Sequence, residues 1–168
     1  MAEIVEALIG VCKNVFYELF GAAINDSRPY LVDSGAIADG DISAIIGLTG
    51  DTCGAIVISM KKELVLKVTG IWTGSEHKDF DDDVIDAIGE LGTIIAGNVK
   101  EYLEEDLHLI ISLPTIVQGQ NHTIRWPGIH GQFVRIPFKI FINSAFSLSV
   151  AIKSVNKKDA RQEPPTGP

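Results

Sequence analysis

The sequence is poor in cysteine and in aromatic residues, has no excess of positive charge and contains no long apolar run. Its 168 residues include two cysteines, Cys12 and Cys53, without the spacing of a metal site, and 7 % aromatic residues. A net charge of −8 argues against nucleic acid or an anionic membrane as the main partner, because both select for basic surfaces. The longest apolar stretch, residues 109–117, is broken by Pro114 and is far shorter than the roughly 18 residues of a membrane span.

These absences favour one soluble domain in a reducing compartment. Hydrophobic residues make up 46 % of the chain, enough for a substantial core, and 168 residues match the usual length of a single domain. The first residues, MAEIVEALIG, lack the basic region of a signal peptide. We therefore expect a cytoplasmic protein with one domain over residues 1–155. A polar, proline-rich tail over residues 156–168 is expected to be disordered.

Hydrophobic periodicity predicts an α/β (α+β) fold in which an antiparallel sheet is backed by helices. Helical spacing of apolar residues predicts three helices, at residues 3–24, 61–72 and about 80–105. The first helix is expected to end in INDSRP, where Pro29 restricts the residue before it. A hairpin with a Gly-Asp turn is predicted over residues 43–60. Further strands are predicted at residues 107–118, 121–126, 131–142 and 145–153. No strong internal repeat is apparent.

The third helix contains the most informative segment, residues 86–98, DAIGELGTIIAGN. On a wheel of about 100° per residue, one side is apolar and faces the core: Val84, Ile88, Leu91, Ile95, Val99 and Tyr102. The opposite side carries four residues within about 60° of each other, here called the outward stripe: Asp86, Glu90, Thr93 and Gly97. This stripe is either an ordinary solvated face or a docking face on which glycine allows a partner to come close.

Three small or polar residues lie beside the two stripes. Gly89 and Gly92 are on the flanks of the helix, and Asn98 lies near the edge of the apolar side. Asn98 is about 140° around the helix from Thr93, so the two side chains cannot address one partner site. We expect Asn98 to be partly buried and to hydrogen-bond the backbone near the contact between helix and sheet.

The segment DAIGELGTIIAGNVKEYL, followed by ISLPTIVQG, resembles the CheX branch of the CheC/CheX/FliY phosphatase family. The family motif is Asp or Ser, three residues, Glu, two residues, Asn, and a Pro further downstream. Asp86, Glu90 and Pro114 match this motif in kind and order, whereas Thr93 stands where the family has Asn. The hairpin LTGDTCGAIVISM is also similar to the family's, and the resemblance spans most of residues 1–153.

The resemblance implies a phosphatase that acts on the phosphorylated response regulator CheY in chemotaxis. In the family, the Glu pairs with the regulator's lysine and the Asn orients the water that attacks the aspartyl phosphate. Glu90 and Thr93 are therefore the candidate catalytic residues, and Asp86 and Gly97 join them as partner-binding residues. Mg²⁺ would be carried by the partner, so no cofactor or metal of the chain's own is expected.

Thr93 keeps a second interpretation open. A carboxamide has separate donor and acceptor groups, whereas in a hydroxyl one oxygen serves as both. Thr93 therefore either positions the water or marks a module that binds a response regulator without hydrolysis. A third hypothesis is a structural protein unrelated to signalling. Asn98 and Pro114 are assigned structural roles in the motif. One site per chain is expected, because Asn14 and Glu18 of the first helix are in the reverse order.

The resemblance also implies a homodimer in which the sheet continues across two subunits. The apolar strand within residues 126–143 has little charge, and its edge would be adhesive if left open.

Metal binding and nucleophilic catalysis are the other chemistries considered. DFDDDVID, residues 79–86, offers carboxylates for a metal, but a charged helix N-terminus is the favoured interpretation. The four histidines show no ligand spacing: His77, His108, His122 and His130. Cys12 is expected to be a core thiol. No nucleotide-binding glycine motif and no nucleophile elbow occurs.

Overall fold

The structure, a computed structural model, describes residues 1–103, 108–125 and 130–154. Helices and strands follow each other in the order α1 (Ala2–Phe20), β1 (Ile24–Asp26), β2 (Tyr30–Asp33), β3 (Ile42–Gly50), β4 (Thr52–Met60), α2 (Lys62–Thr73), α3 (Asp82–Leu103), β5 (Leu109–Ile111), β6 (Thr115–Gln118), β7 (Gln132–Ile140) and β8 (Ser144–Ser154). The predicted tail at 156–168 and the predicted end of the third helix lie outside the described residues.

One antiparallel sheet contains all eight strands, in the order β1-β7-β8-β4-β3-β5. Strand β2 also pairs with β7, and β6 also pairs with β3, so each edge of the sheet consists of two short strands placed end to end. The predicted antiparallel sheet backed by helices is confirmed, as are the hairpin formed by β3 and β4 and the helix α2. No helix in the described ranges has the length and apolarity needed to cross a bilayer.

The first helix is shorter than predicted, because Gly21 ends it. Gly21 adopts a φ of 60°, a left-handed conformation that terminates many helices, and its N–H donates to the carbonyl of Tyr17 at 2.9 Å. The chain then forms β1 and β2, which the sequence pattern did not predict. These short strands are stabilised by pairing with β7, a contact with residues far along the chain.

Two further strand predictions need correction. The strand predicted at 107–118 is split into β5 and β6. In the described part of 121–126, Thr123 makes an isolated bridge to Ile37 and no strand forms. The strand β7 does not have the open edge that would make it adhesive, because β8 pairs on one side of it and β1 and β2 pair on the other. The homodimer stays a prediction, and the edge of β7 no longer supports it.

The three helices pack on one face of the sheet around a single hydrophobic core. Alternate residues of β3 point into this core, among them Ile42, Ala44 and Ile46. Phe16 of α1 stacks on Phe146 of β8 with ring centroids 4.6 Å apart. Burial of α1 and α3 on this face leaves the opposite side of α3 exposed, which determines where a partner can reach it.

Candidate functional site

Helix α3 begins at a side-chain cap. Asp81 accepts a hydrogen bond from the Val84 N–H at 3.0 Å and lies 2.8 Å from Nδ1 of His77. The hydrogen bond from His77, followed by that from Val84, lowers the pKa of Asp81. Asp82 and Asp83 complete an acidic first turn, which the helix dipole favours.

The outward stripe lies on the exposed side of α3, as the wheel predicts. Asp86 and Glu90 are exposed, and Thr93 and Gly97 are half-buried. A Cβ atom built at Gly97 would have no neighbouring atom within 4 Å, so the space in front of it is open. Tyr102 was expected on the core-facing side, but it is 67 % exposed.

The Thr93 side chain is turned back onto its own helix. Its Oγ1 donates a hydrogen bond to the carbonyl oxygen of Gly89 at 3.0 Å. A hydroxyl has a single proton, so this bond leaves the oxygen with lone pairs only. Thr93 can therefore accept a hydrogen bond from a water molecule and has no proton left to donate.

Gly89 and Gly92 serve the packing of α3 on the sheet. Both are buried, and a Cβ atom at Gly89 would lie 3.3 Å from Cγ of Pro114. A Cβ atom at Gly92 would lie 3.3 Å from Cδ1 of Ile46. The predicted flank positions are therefore covered by Pro114 and by β3 rather than open to a partner. Among the three glycines of this segment, only Gly97 faces open space.

Pro114 reaches α3 through a bulge at the edge of the sheet. Ile111 lies opposite Leu48 and Thr115 lies opposite Ile45, so residues 112–114 face only two residues of β3. An extra residue of this kind redirects side chains, and such bulges are frequent beside active sites. The bulge brings Pro114 against the turn of α3 that carries Glu90.

Ser112 fixes the bulge from both directions. Its N–H donates to the carbonyl of Gly47 at 2.9 Å, and its Oγ accepts the Gly47 N–H at 2.8 Å. The same Oγ donates to the carbonyl of Leu113 at 2.8 Å. No role for this serine was predicted from the sequence.

Asn98 differs from its predicted role. It is exposed, and its Nδ2 donates to the carbonyl of Ile94 in its own helix at 3.0 Å. The prediction of a backbone hydrogen bond holds, but the predicted partial burial is wrong. Asn98 lines an open groove of about 310 Å³ between α1 and α3, together with Asn14, Glu18 and Glu101.

The chain contains an internal repeat that the sequence analysis overlooked. The order helix and four strands occurs twice, as α1 to β4 and as α3 to β8. INDSRPYLVD at 24–33 and LIISLPTIVQ at 109–118 share Ser-x-Pro, a branched residue and Val. Residues 27–29 also face only two residues of β7, so the bulge is repeated as well. These matching segments were the available signal.

The counterpart of the outward stripe therefore lies on α1 beside the first bulge. Glu6 and Ile9 line a groove there with Pro29 and Tyr30. Ile9 has neither a hydroxyl nor an amide, so this face offers no group at that position to orient a water. The expectation of a single site per chain is thus supported by Ile9 rather than by the order of Asn14 and Glu18.

A possible cation cluster lies at the start of α3. Ligand atoms of His77, Asp81 and Asp83 lie within 4.8 Å of one another. Both ring nitrogens of His77 already have partners, because Nε2 lies 2.8 Å from the hydroxyl of Thr73. These contacts are the ones expected of a capped helix start.

A serine and a histidine meet on the other face of the sheet. Nδ1 of His122 donates to the carbonyl of Gly119 at 2.7 Å, and its Nε2 lies 2.7 Å from the hydroxyl oxygen of Ser43. Ser43 is fully buried and also contacts the hydroxyl of Ser59 at 2.6 Å. A hydroxyl without access to solvent has no route to a substrate, and the pair connects a loop to β3.

The comparison with known proteins agrees with the family resemblance of the motif. The profile of the family described as chemotaxis phosphatase CheX matches residues 42–139. The chain is 31 % identical over 155 residues to the CheY-P phosphatase CheX of Thermotoga maritima, covering 91 % of this chain and 97 % of that protein.

Solved structures with the same fold include chemotaxis proteins. The chemotaxis protein CheX of Desulfovibrio desulfuricans superposes with a TM-score of 0.80 at 25 % identity, covering 90 % of this chain and 99 % of that one. A CheX–CheY–BeF3–Mg²⁺ complex from Borrelia burgdorferi superposes with a TM-score of 0.75 at 26 % identity, covering 89 % of this chain and 97 % of that one.

Proposed function

The chain belongs to the chemotaxis phosphatase CheX family, and on that premise we propose that it dephosphorylates the aspartyl phosphate of a CheY-type response regulator. The relative from Thermotoga maritima is named a CheY-P phosphatase, and the relative from Borrelia burgdorferi is seen with CheY, BeF3 and Mg²⁺. The activity belongs in the cytoplasm, where reducing conditions suit the free thiols of Cys12 and Cys53.

One observation carries the proposal. Glu90 is exposed, and the hydroxyl of Thr93 lies about one turn further along the same side of α3. The helix beneath them is held by the contact of Gly89 with Pro114 and by the packing of Gly92 on β3. A carboxylate and an oxygen acceptor are thus presented on a rigid surface, which is what positioning a reacting water requires.

The chemistry in this proposal is positioning. Phosphoryl transfer needs a water in line with the leaving oxygen and stabilisation of charge, with little covalent help from the protein. Glu90 pairs with the lysine of the response regulator and thereby sets the orientation of the two proteins. Thr93 accepts a hydrogen bond from the attacking water, which aims a lone pair of that water at phosphorus. The Mg²⁺ and the phosphoryl group are contributed by the response regulator.

Thr93 limits the rate in this proposal. Its single proton is donated to Gly89, so the water receives one hydrogen-bond partner where a carboxamide offers a donor and an acceptor. Loss of one oriented polar group in a catalytic site commonly costs about 10²–10³ in rate. We expect a slower enzyme than a variant with Asn at this position.

A second candidate function rests on the same hydrogen bond. If the Thr93 oxygen does not hold the water, the stripe still presents Glu90 to a response regulator, and the protein acts by binding alone. The two functions differ in one measurable quantity, the release of phosphate.

The test uses the CheY-type receivers of the source organism, phosphorylated with acetyl phosphate and separated from the phosphodonor. Phosphatase function predicts that catalytic amounts of the protein accelerate phosphate release from at least one receiver, and that Glu90→Ala abolishes this. Tight binding of a receiver without acceleration would favour the binding module. If the protein neither binds any receiver nor accelerates phosphate release from one, both candidate functions are rejected.

A further inference from the structure

We propose that Leu113 is a specificity-determining contact for the response regulator, presented beside Glu90 by the bulge at residues 112–114. This inference rests on the proposed function and adds an apolar contact to those of the outward stripe. It assigns to the response regulator an apolar depression next to its phosphorylation site.

The first observation is the exposure of Leu113. Its side chain is 87 % exposed, and in the described ranges only Ile142 is a more exposed large hydrophobic residue. An exposed leucine is ordinary when it stands alone on a surface. Leu113 is different, because it lies in the bulge that packs on the motif helix.

The second observation is the rigidity of its support. Ser112 is hydrogen-bonded to both backbone polar groups of Gly47 and to the carbonyl of Leu113. On the other side, the ring of Pro114 lies against the backbone of Gly89. The backbone of Leu113 is therefore fixed at both neighbours, so binding of a partner at its side chain needs little further ordering of the backbone.

The third observation is the position of Leu113 relative to the outward stripe. Pro114, the next residue, contacts α3 at Gly89, which directly precedes Glu90. A protein that places a lysine on Glu90 and a phosphoryl group near Thr93 covers the rim where Leu113 stands. Burial of one leucine in such a contact strengthens binding by about tenfold or more.

The fourth observation comes from the internal repeat. The same bulge beside α1 carries Arg28 in the place of Leu113, and Arg28 is exposed. Two bulges with matching backbone registers thus present opposite chemistries. Arginine is a charged side chain that water solvates well, and of the two bulges only the one that packs on the helix of Glu90 and Thr93 carries a leucine at this place. This contrast supplies a matched control.

The experiment compares Leu113→Ser with Arg28→Ser. Both side chains are exposed, so both variants are expected to keep the thermal midpoint of unfolding. Binding is measured to receivers carrying Mg²⁺ and BeF3, the latter in place of the phosphoryl group. KM and kcat are measured with phosphorylated receivers. We expect Leu113→Ser to raise Kd and KM by about tenfold and to leave kcat within about twofold. Arg28→Ser should change none of these quantities.

The possible results separate the role of Leu113 from the proposed function. If the unmodified protein dephosphorylates a receiver, Glu90→Ala abolishes this, and Leu113→Ser matches the unmodified protein, the role of Leu113 is rejected and the proposed function stands. A fall in kcat without a change in KM would also reject it, because Leu113 would then act on the reaction itself. If the unmodified protein neither binds nor dephosphorylates any receiver, both are rejected.

Discussion

The ring of Pro114 lies against the backbone of Gly89, where an added Cβ atom would be 3.3 Å from Cγ of the ring. This contact joins a bulge at the sheet edge to the one turn of α3 that carries Glu90 and, through the carbonyl of Gly89, the hydroxyl of Thr93. The turn that carries the motif residues therefore packs closely on Pro114, because Gly89 has no side chain. A larger residue at position 89 would push the ring and the helix apart.

The hydroxyl of Thr93 is expected to set the catalytic rate. Thr93→Val keeps the shape of the side chain and removes the oxygen, so kcat should fall by about 10²–10³-fold, while Thr93→Ser retains most of the activity. Thr93→Asn should raise kcat, because a carboxamide adds a donor to the acceptor. Phosphate release from a phosphorylated receiver measures all three. Equal rates for the valine variant and the unmodified protein would exclude Thr93 from catalysis.

The carboxylate of Glu90 is expected to determine receiver binding. Glu90→Gln removes the charge that pairs with the receiver's lysine, and Kd for a BeF3-loaded receiver should rise by at least about tenfold. Glu63→Gln on α2, also an exposed acid, is the matched control for the loss of one negative charge. Titration at increasing salt checks the electrostatic origin, and an equal effect of both variants would contradict it.

Gly97→Ala is expected to separate stability from function. The position is helical and open, so alanine should raise the free energy of unfolding by about 1 kcal/mol without a clash. The added methyl group stands in the outward stripe and should weaken receiver binding. Chemical denaturation and a binding titration on the same protein sample measure the two effects. Unchanged receiver affinity would place Gly97 outside the interface.

Gly89→Ala is expected to impair activity by disturbing the support of the site rather than by entering the interface. Its methyl group would press on the ring of Pro114 at 3.3 Å, so the bulge must shift by a few tenths of an ångström. The gain in helix propensity, about 1 kcal/mol, offsets this strain, and we expect a small change in stability with a clear loss of phosphatase activity. Activity equal to that of the unmodified protein would show that the Pro114 contact does not position the site.

Asp81 is expected to make the stability of the N-terminus of α3 depend on pH. Hydrogen bonds from His77 and from the Val84 N–H lower the pKa of Asp81, so the carboxylate stabilises the fold at pH values above its ordinary pKa of about 3.9. This stabilisation is lost as the pH falls through the lowered pKa of the folded state. Asp81→Asn should therefore be less stable than the unmodified protein near neutral pH, and the difference should shrink in acid. Asp82→Asn, in the same turn, is the control in thermal unfolding from pH 7 to pH 2.

The two thiols are expected to differ in reactivity. Cys12 is fully buried and burial raises its pKa, whereas Cys53 is exposed. Because the thiolate is the reactive form, an alkylating reagent should modify one thiol in the native protein and both in denaturant. Cys53→Ser should abolish the native reaction. Modification of Cys12 at the rate of Cys53 would contradict the burial of α1 in the core.

Much of the site could be predicted from the order of residues alone. The spacing of Asp86, Glu90, Thr93 and Gly97 puts them on one side of a helix, since helical geometry is local and needs no knowledge of the rest of the chain. The same reasoning failed for Tyr102 and Asn98, because the groove between α1 and α3 decides their burial. It also failed for β1 and β2, whose three and four residues form strands only by pairing with β7.

The sequence by itself determined the α+β fold and the outward stripe, and its family resemblance implied that Thr93 stands at the place of the motif asparagine. The fold and the stripe follow from periodicity and residue identity, which act over one or two turns of chain. Only the tertiary structure decided that Gly89 and Gly92 face the sheet, that the Thr93 proton is donated to Gly89, and that Pro114 lies against Gly89, the residue before Glu90. The physical reason is that the register of β5 and β6 on β3, including the extra residue of the bulge, sets which distant residues meet α3.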